Sequence, residues 1–166
     1  MIEVVDVADV PAKRSSESQV TLHQLMLPQH ANAHGNVHGG VIMKLVDEAG
    51  GIAAMRHSRR PSVTVAIDSM TVHSPVHVGE LLRLDARLSW VGKSSMEVEV
   101  LVHAENSLTG DTTYTNSAYL VYVAIDGNGR PVAVPPLLLE GEDEQRRFAD
   151  GEQRQRERLA WKRRNG

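Results

Sequence analysis

The stretch HGGVIMKLVDEAGGIAAMRH, residues 38–57, decides the fold. At 100° per residue, Val41, Ile42, Leu45, Val46, Ala49, Ile52 and Ala53 fall within a sector of about 140°, the apolar stripe of an α-helix. The opposite side carries Met43, Asp47, Gly50, Gly51 and Ala54, small and weakly polar where an exposed helix shows charge. A helix that is apolar nearly all round is a buried one, so the spacing predicts a central helix. Gly35, Gly39 and Gly40 precede it, and Arg59-Arg60-Pro61 closes it.

Around this helix the pattern switches to period two. Leu82, Leu84, Ala86, Leu88 and Trp90 share one face against Arg83, Asp85, Arg87 and Ser89, and Met96, Val98, Val100 and Val102 oppose Glu97, Glu99 and His103. Val63, Val65 and Ile67 begin another strand, Tyr114 to Ile125 forms a further one, and Gln19 to Leu27 alternates ahead of the helix. Short connections at His77-Val78-Gly79, Gly92-Lys93-Ser94 and Thr109-Gly110-Asp111 predict antiparallel neighbours. One strand, one buried helix and four antiparallel strands make an α+β fold in which a curved sheet wraps a central helix; a doubly wound parallel sheet is excluded.

Pro131, Pro135 and Pro136 end this body, giving a domain over residues 17–139 and a tail over residues 140–166. The tail holds seven acidic and eight basic residues in 27, so it reads as a solvated helix or frayed end.

A chain of 166 residues is the size of a single domain. No stretch approaches the ~18 consecutive apolar residues of a membrane span. The start, MIEVVDVADVPAKRSSES, lacks the basic and apolar regions of a secretory leader, which points to the cytoplasm. With no cysteine there is no disulfide framework, thiolate metal site or cysteine nucleophile. A net charge of −3 with 4% aromatics offers neither the charge nor the stacking surface of a nucleic-acid binder.

The densest chemistry lies in HANAHGNVHGG, residues 30–40, which runs into the helix. The first helical N–H groups have no internal acceptor and sit at the positive end of the dipole, so they can polarise a carbonyl or stabilise an oxyanion; equally, the glycines can simply permit a tight turn. Asp47 is a general-base candidate if its helix face is covered, and an ordinary helical acid if it is not. His30, His34 and His38 are spaced like ligands on a helix, but the intervening glycines favour backbone-bonded or solvent-facing imidazoles over a metal. Arg56 and His57, with Arg59 and Arg60, complement the helix C-terminus or receive phosphates. Lys93 and Ser94 lie in a turn that suits a hairpin and a phosphate or pantetheine contact alike.

Asn32-x-x-Gly35-x-x-x-Gly39-Gly40, followed by Met43-Lys44-Leu45-Val46-Asp47-Glu48-Ala49-Gly50, resembles the hotdog-fold acyl-CoA thioesterases, in the branch of bacterial acyl-CoA hydrolases and the brain-type cytosolic enzyme. The likeness continues through Arg56-His57, Val63-Thr64, Ser74-Pro75 with Gly79-Glu80, Lys93 to Val98, Leu108-Thr109-Gly110 and Val134-Pro135-Pro136, and covers most of residues 20–160. It implies a dimer that pairs its sheets edge to edge, assembled further as a trimer of dimers, with thioester sites at the dimer interface. It also implies hydrolysis of a fatty or short acyl-CoA with no metal or bound cofactor. In that pattern Asp47 is the general base, or less favourably a nucleophile, Asn32 orients water or carbonyl, and the amide near Gly40 holds the thioester oxygen. Gly39, Val41, Arg56, His57, Lys93 and Ser94 become substrate contacts. Where that family commonly has Phe this chain has Val72, which fits a wider acyl pocket or looser packing.

Two other classes share such a fold. A ligand-sensing regulator needs a DNA-binding segment, and the ~16 residues ahead of the first predicted strand are too few for a helix-turn-helix. A hotdog dehydratase or hydratase uses a catalytic His with an acid, whereas Asp47 behind a Gly-Gly start fits water attack on a carbonyl better.

Overall fold

The computed structural model describes residues 10–166, so the first half of the 18-residue start, on which the absence of a leader rests, lies outside the described residues. In chain order the elements are β1 (Lys13–Arg14), β2 (Val20–Leu25), α1 (Gly39–Ser58), β3 (Ser62–Val72), β4 (Leu81–Val91), β5 (Ser95–Glu105), β6 (Thr112–Ala124), β7 (Leu137–Leu138) and α2 (Gly141–Asn165). Five strands form one antiparallel sheet in the order β2-β4-β5-β6-β3, while β1 and β7 pair in parallel as a small separate ribbon.

Helix α1 lies on one face of the sheet and touches all five strands. It approaches closely because its inward residues are small: Ala49, Ala53 and Ala54 are fully buried beside Val46. Facing them are Leu82, Leu84, Ala86, Val98, Val100, Val102 and Leu120, all buried, so period 3.6 on the helix meets period two on the strands in one core. Both ends of α1 are tied. His38 Nδ1 accepts the Gly40 N–H at 2.9 Å, and Arg59 ends the helix in the left-handed region with φ 55°, its N–H donating to the Met55 carbonyl. Lys13 Nζ donates to the Arg56 and His57 carbonyls at 2.9 Å each, satisfying two of the orphan acceptors of the last turn.

Three expectations change. His77-Val78-Gly79 does not join sheet neighbours, because β3 pairs with β6 and β4 with β2, so the chain crosses the sheet between β3 and β4. A short connection shows a reversal; it cannot show which strand the returning chain pairs with.

Trp90 does not share the face of Leu88. Leu88 is opposite Val98 but Trp90 is opposite Glu97, and the irregularity between them turns the indole to the outer face. There it meets Phe148 of α2 at 6.5 Å between ring centroids.

Nor is the charged tail merely solvated. Arg147, Arg154 and Arg158 recur on one face of α2 and meet acids on the outer face of the sheet. Arg154 holds the fully buried Glu97 through Nη2 at 2.8 Å and Nε at 3.1 Å, and its guanidinium stacks 3.8 Å above the Tyr119 ring. Arg147 and Arg87 share Glu99, and Arg158 pairs with Asp68. Charge that looks solvent-seeking in sequence is here divided between helix and sheet so that Glu97, Glu99 and Asp68 each meet an arginine of α2.

Candidate active site

Asp47 lies on α1 at the boundary between buried core and solvent, half-exposed. Its Oδ1 accepts the Thr64 hydroxyl at 2.7 Å and stands 3.1 Å from the Tyr122 hydroxyl, which also reaches the Asp47 main-chain carbonyl at 3.0 Å. Thr64 on β3 and Tyr122 on β6 are cross-strand partners, so one register position of the sheet sends both hydroxyls to the same oxygen. Among the described residues Oδ2 has no donor and remains open. An acid held by one oxygen and free at the other can take a proton from a bound water without losing its orientation.

Burial, followed by the charge and hydrogen bond of Asp47, pushes the Tyr122 hydroxyl well above its ordinary pKa, so it stays a donor at neutral pH. Neither Thr64 nor Tyr122 stood among the sequence candidates. The signal for Tyr122 was Gly50-Gly51 in mid-helix, where paired glycines mark a close approach. Thr64 had no comparable local signal.

The loop before α1 is organised by Asn32. Its Oδ1 accepts the His34 and Asn36 N–H groups at 2.9 and 3.2 Å, its own N–H donates to the Asn36 carbonyl, and Gly35 takes φ +84° to close the turn. That commits the amide oxygen of Asn32 to the loop and leaves Nδ2 unspent among the described residues. No hydrogen bond joins Asn32 to Asp47 within the chain, and Asp47 lies about 12 Å along the helix axis from Gly39.

At the helix start the glycines divide. The Gly40 N–H is occupied by His38 Nδ1, whereas the Gly39 N–H donates to nothing among the described residues, and both glycines are exposed. The open amide is therefore that of Gly39, and the Gly40 amide becomes free only when the imidazole swings aside. Val41 is partly buried against the core. His30 spends Nδ1 on the Leu27 N–H, as His38 does on Gly40, and His34 is exposed in the turn.

The far end of α1 separates its candidates. Arg56 is exposed and donates to the Gln19 carbonyl at 2.7 Å. His57 faces inward, fully buried, 2.7 Å from the Pro135 carbonyl, which removes it from the surface where a ligand phosphate would sit. Its place in the sequence suggested a surface base; helical periodicity puts it on the Ala49–Ala53 side instead. Lys93 is exposed and Ser94 half-buried in the β4–β5 turn, where the Lys93 carbonyl accepts the Val134 N–H. Residues 134–135 thus bridge the Lys93 turn and the C-terminus of α1.

A family model described as thioesterase superfamily matches residues 34–110. The cytosolic acyl coenzyme A thioester hydrolase of Rattus norvegicus is 38% identical over 141 residues, 84% of this chain and 37% of that protein. The chain thus spans well under half the length of that relative. An uncharacterized acyl-CoA thioester hydrolase of Bacillus subtilis is 38% identical over 77% of this chain and 74% of its own. Among solved structures, an apo-hexameric acyl-CoA thioesterase matches with a TM-score of 0.87 and 33% identity, over 91% of this chain and 97% of that one. The acyl-CoA hydrolase of Staphylococcus aureus, solved with butyryl coenzyme A, coenzyme A and coenzyme A disulfide, matches with a TM-score of 0.86 and 32% identity, over 93% and 94%. The Staphylococcus aureus enzyme has also been solved with an aspartate, an asparagine and a threonine each replaced by alanine. Sheet order, the helix packed by one side across the sheet and these matches together identify the hotdog fold, and the chain belongs to the thioesterase superfamily, with acyl-CoA thioester hydrolases among its relatives.

Proposed function

We propose that this protein hydrolyses acyl-CoA thioesters to a carboxylic acid and coenzyme A, with Asp47 as general base. The observation that carries this reading is the carboxylate of Asp47, pinned through Oδ1 and open at Oδ2. Water attacks the thioester carbonyl as Oδ2 takes its proton, the oxyanion is stabilised by amides at the start of α1, and collapse expels the coenzyme A thiolate, which is protonated in turn. Gly39 supplies the amide already open, with Gly40 joining when His38 releases it. The Asn32 Nδ2 is the donor left to orient water or carbonyl. Arg56, Lys93 and Ser94 are contacts for the phosphates or pantetheine of coenzyme A. Nothing in this route requires a metal or cofactor.

The spacing of residues supports it. In the Staphylococcus aureus hydrolase the substituted asparagine lies 15 positions before the aspartate and the threonine 17 positions after it. Asn32, Asp47 and Thr64 keep both separations in this chain.

Asn32 and Asp47 belong to the same site only if a second copy brings them together, so the working unit is a dimer joined through the free edge of β3. That edge exposes Val63, Val65, Ile67 and Val72, the last at 65%, and an unpaired apolar edge strand is a template for another strand. Hexameric relatives fit assembly of three such dimers. Residues 17–139 form the thioesterase domain and residues 140–166 its appended helix. Among the described residues no helix is long and apolar enough to cross a membrane, and with a cytosolic relative the cytoplasm is the proposed location.

The test is thiol release from acyl-CoA substrates of several chain lengths by wild-type protein and Asp47→Asn. The substitution keeps shape and coenzyme A binding and lowers kcat by on the order of 100-fold or more. Full activity in Asp47→Asn removes Asp47 from the mechanism, and no thiol release by wild-type protein on any chain length removes the hydrolase reading.

A further inference from the structure

We infer that Tyr122 is a positioning residue for Asp47, inserted beneath α1 through the gap left by Gly50. The inference rests on reading Asp47 as the general base. Tyr122 is on the helix-facing side of β6 and is 1% exposed, yet among the described residues its hydroxyl finds acceptors only on Asp47, at 3.0 Å from the carbonyl oxygen and 3.1 Å from Oδ1. A buried tyrosine hydroxyl needs a partner. Here the partner is the helix that carries the acid, one atom in the main chain and one in the side chain. The hydroxyl thus fixes both where the helix turn sits above the sheet and which oxygen of the carboxylate points inward.

Gly50 gives the independent observation. A Cβ at residue 50 would fall on the Tyr122 hydroxyl at a separation that non-bonded atoms do not adopt, and would press on the ring carbons Cε2 and Cζ at 3.1 Å each. At Gly51 the same added atom would make an ordinary contact of 3.7 Å with the ring. Glycine weakens a helix interior, so a glycine required at residue 50 has to be explained by what it admits, and what it admits is this hydroxyl. Thr64 covers the same Oδ1 from the neighbouring strand at 2.7 Å. With two hydroxyls on one oxygen, the carboxylate plane is held, because turning it partway breaks both hydrogen bonds, and the oxygen without a donor is left for the reacting water.

Tyr122→Phe keeps the ring and removes the oxygen. With butyryl-CoA as the probe and thiol release as the readout, kcat is expected to fall about 5- to 50-fold while KM stays within about twofold, since orientation of the base is lost and substrate contacts are not. In an Asp47→Asn background the same change is expected to cost nothing further, because a residue acting through Asp47 has nothing left to act on. Gly50→Ala is the second probe, displacing the hydroxyl with the tyrosine still present, and is expected to lower kcat with KM retained. Wild-type kcat in Tyr122→Phe or in Gly50→Ala, alongside an inactive Asp47→Asn, overturns the role of Tyr122 and leaves the hydrolase reading standing. An equal further loss from Tyr122→Phe in both backgrounds shows a structural residue and also overturns it. A fully active Asp47→Asn overturns both readings together.

Discussion

His57 sits fully buried in the last turn of α1 with Nε2 on the Pro135 carbonyl and Nδ1 without a partner among the described residues. Burial disfavours its charged form more than the Pro135 carbonyl favours it, and the neighbouring Lys13 ammonium disfavours it further, so in the folded protein it titrates below its ordinary 6.5. Between those two values the unfolded chain binds a proton that the folded chain refuses. Stability therefore falls as the pH drops below about 6.5 toward the folded value, and the contribution is fully present above that window. His57→Gln, whose side-chain nitrogen can reach the same carbonyl, removes the titration. Thermal unfolding followed from pH 7.5 to 5 is expected to show a shallower acid loss for the variant, by up to about 1.4 kcal/mol per pH unit. Parallel curves for the two proteins would show that the imidazole does not stay neutral on folding.

Helix α2 depends on one small residue. Gly151 is buried against β4, and a Cβ there would meet the Trp90 Cβ at 2.6 Å and Glu97 Oε1 at 3.0 Å. In an exposed helix Gly→Ala stabilises by about 1 kcal/mol. Here overpacking, typically about 1–3 kcal/mol, opposes that gain. Because the obstacle is close to backbone and not the far end of a flexible chain, the unfavourable effect wins. Gly151→Ala is expected to lower stability by up to about 2 kcal/mol, read as a loss of up to about 8 °C in Tm. A higher Tm in that variant would mean that α2 does not lie on Trp90 at this distance. The same geometry explains why Glu97 tolerates burial: Arg154 and the Ser89 hydroxyl both reach its Oε1, at 2.8 and 2.6 Å.

For the whole molecule the deciding question is whether a site is built by one chain or two. If Asn32 comes from one protomer and Asp47 from the other, a two-fold dimer has two composite sites. Asn32→Ala and Asp47→Ala chains are then each expected to be inactive alone. A mixed dimer puts both lesions in one site and leaves the other intact. With random one-to-one pairing half the dimers are mixed and half their sites are whole, so co-expressed chains are expected to recover roughly a quarter of wild-type activity. Mixed dimers confirmed by mass and no more active than either parent would show that each chain builds its own site.

Local periodicity determined much of this protein. The 20-residue helix α1 and the strands on either side are each encoded within a single segment, because burial of one face imposes a period that neighbouring residues satisfy by themselves. The same holds for the glycine-rich entry to α1 and for Asp47 on its less apolar side, both visible before any contact is known. What the tertiary structure decided are the relations between segments distant in sequence. The crossover that places β3 beside β6 brings Thr64 and Tyr122 to one oxygen of Asp47, 17 and 75 residues away along the chain. The irregularity at Ser89 sends Trp90 to the outer face, and α2 covers charges whose own strand pattern reads as solvent-facing. A residue's period states which side of its element it occupies. Which element lies on that side is settled only by the packing of the whole chain, where burial and charge pairing are satisfied together.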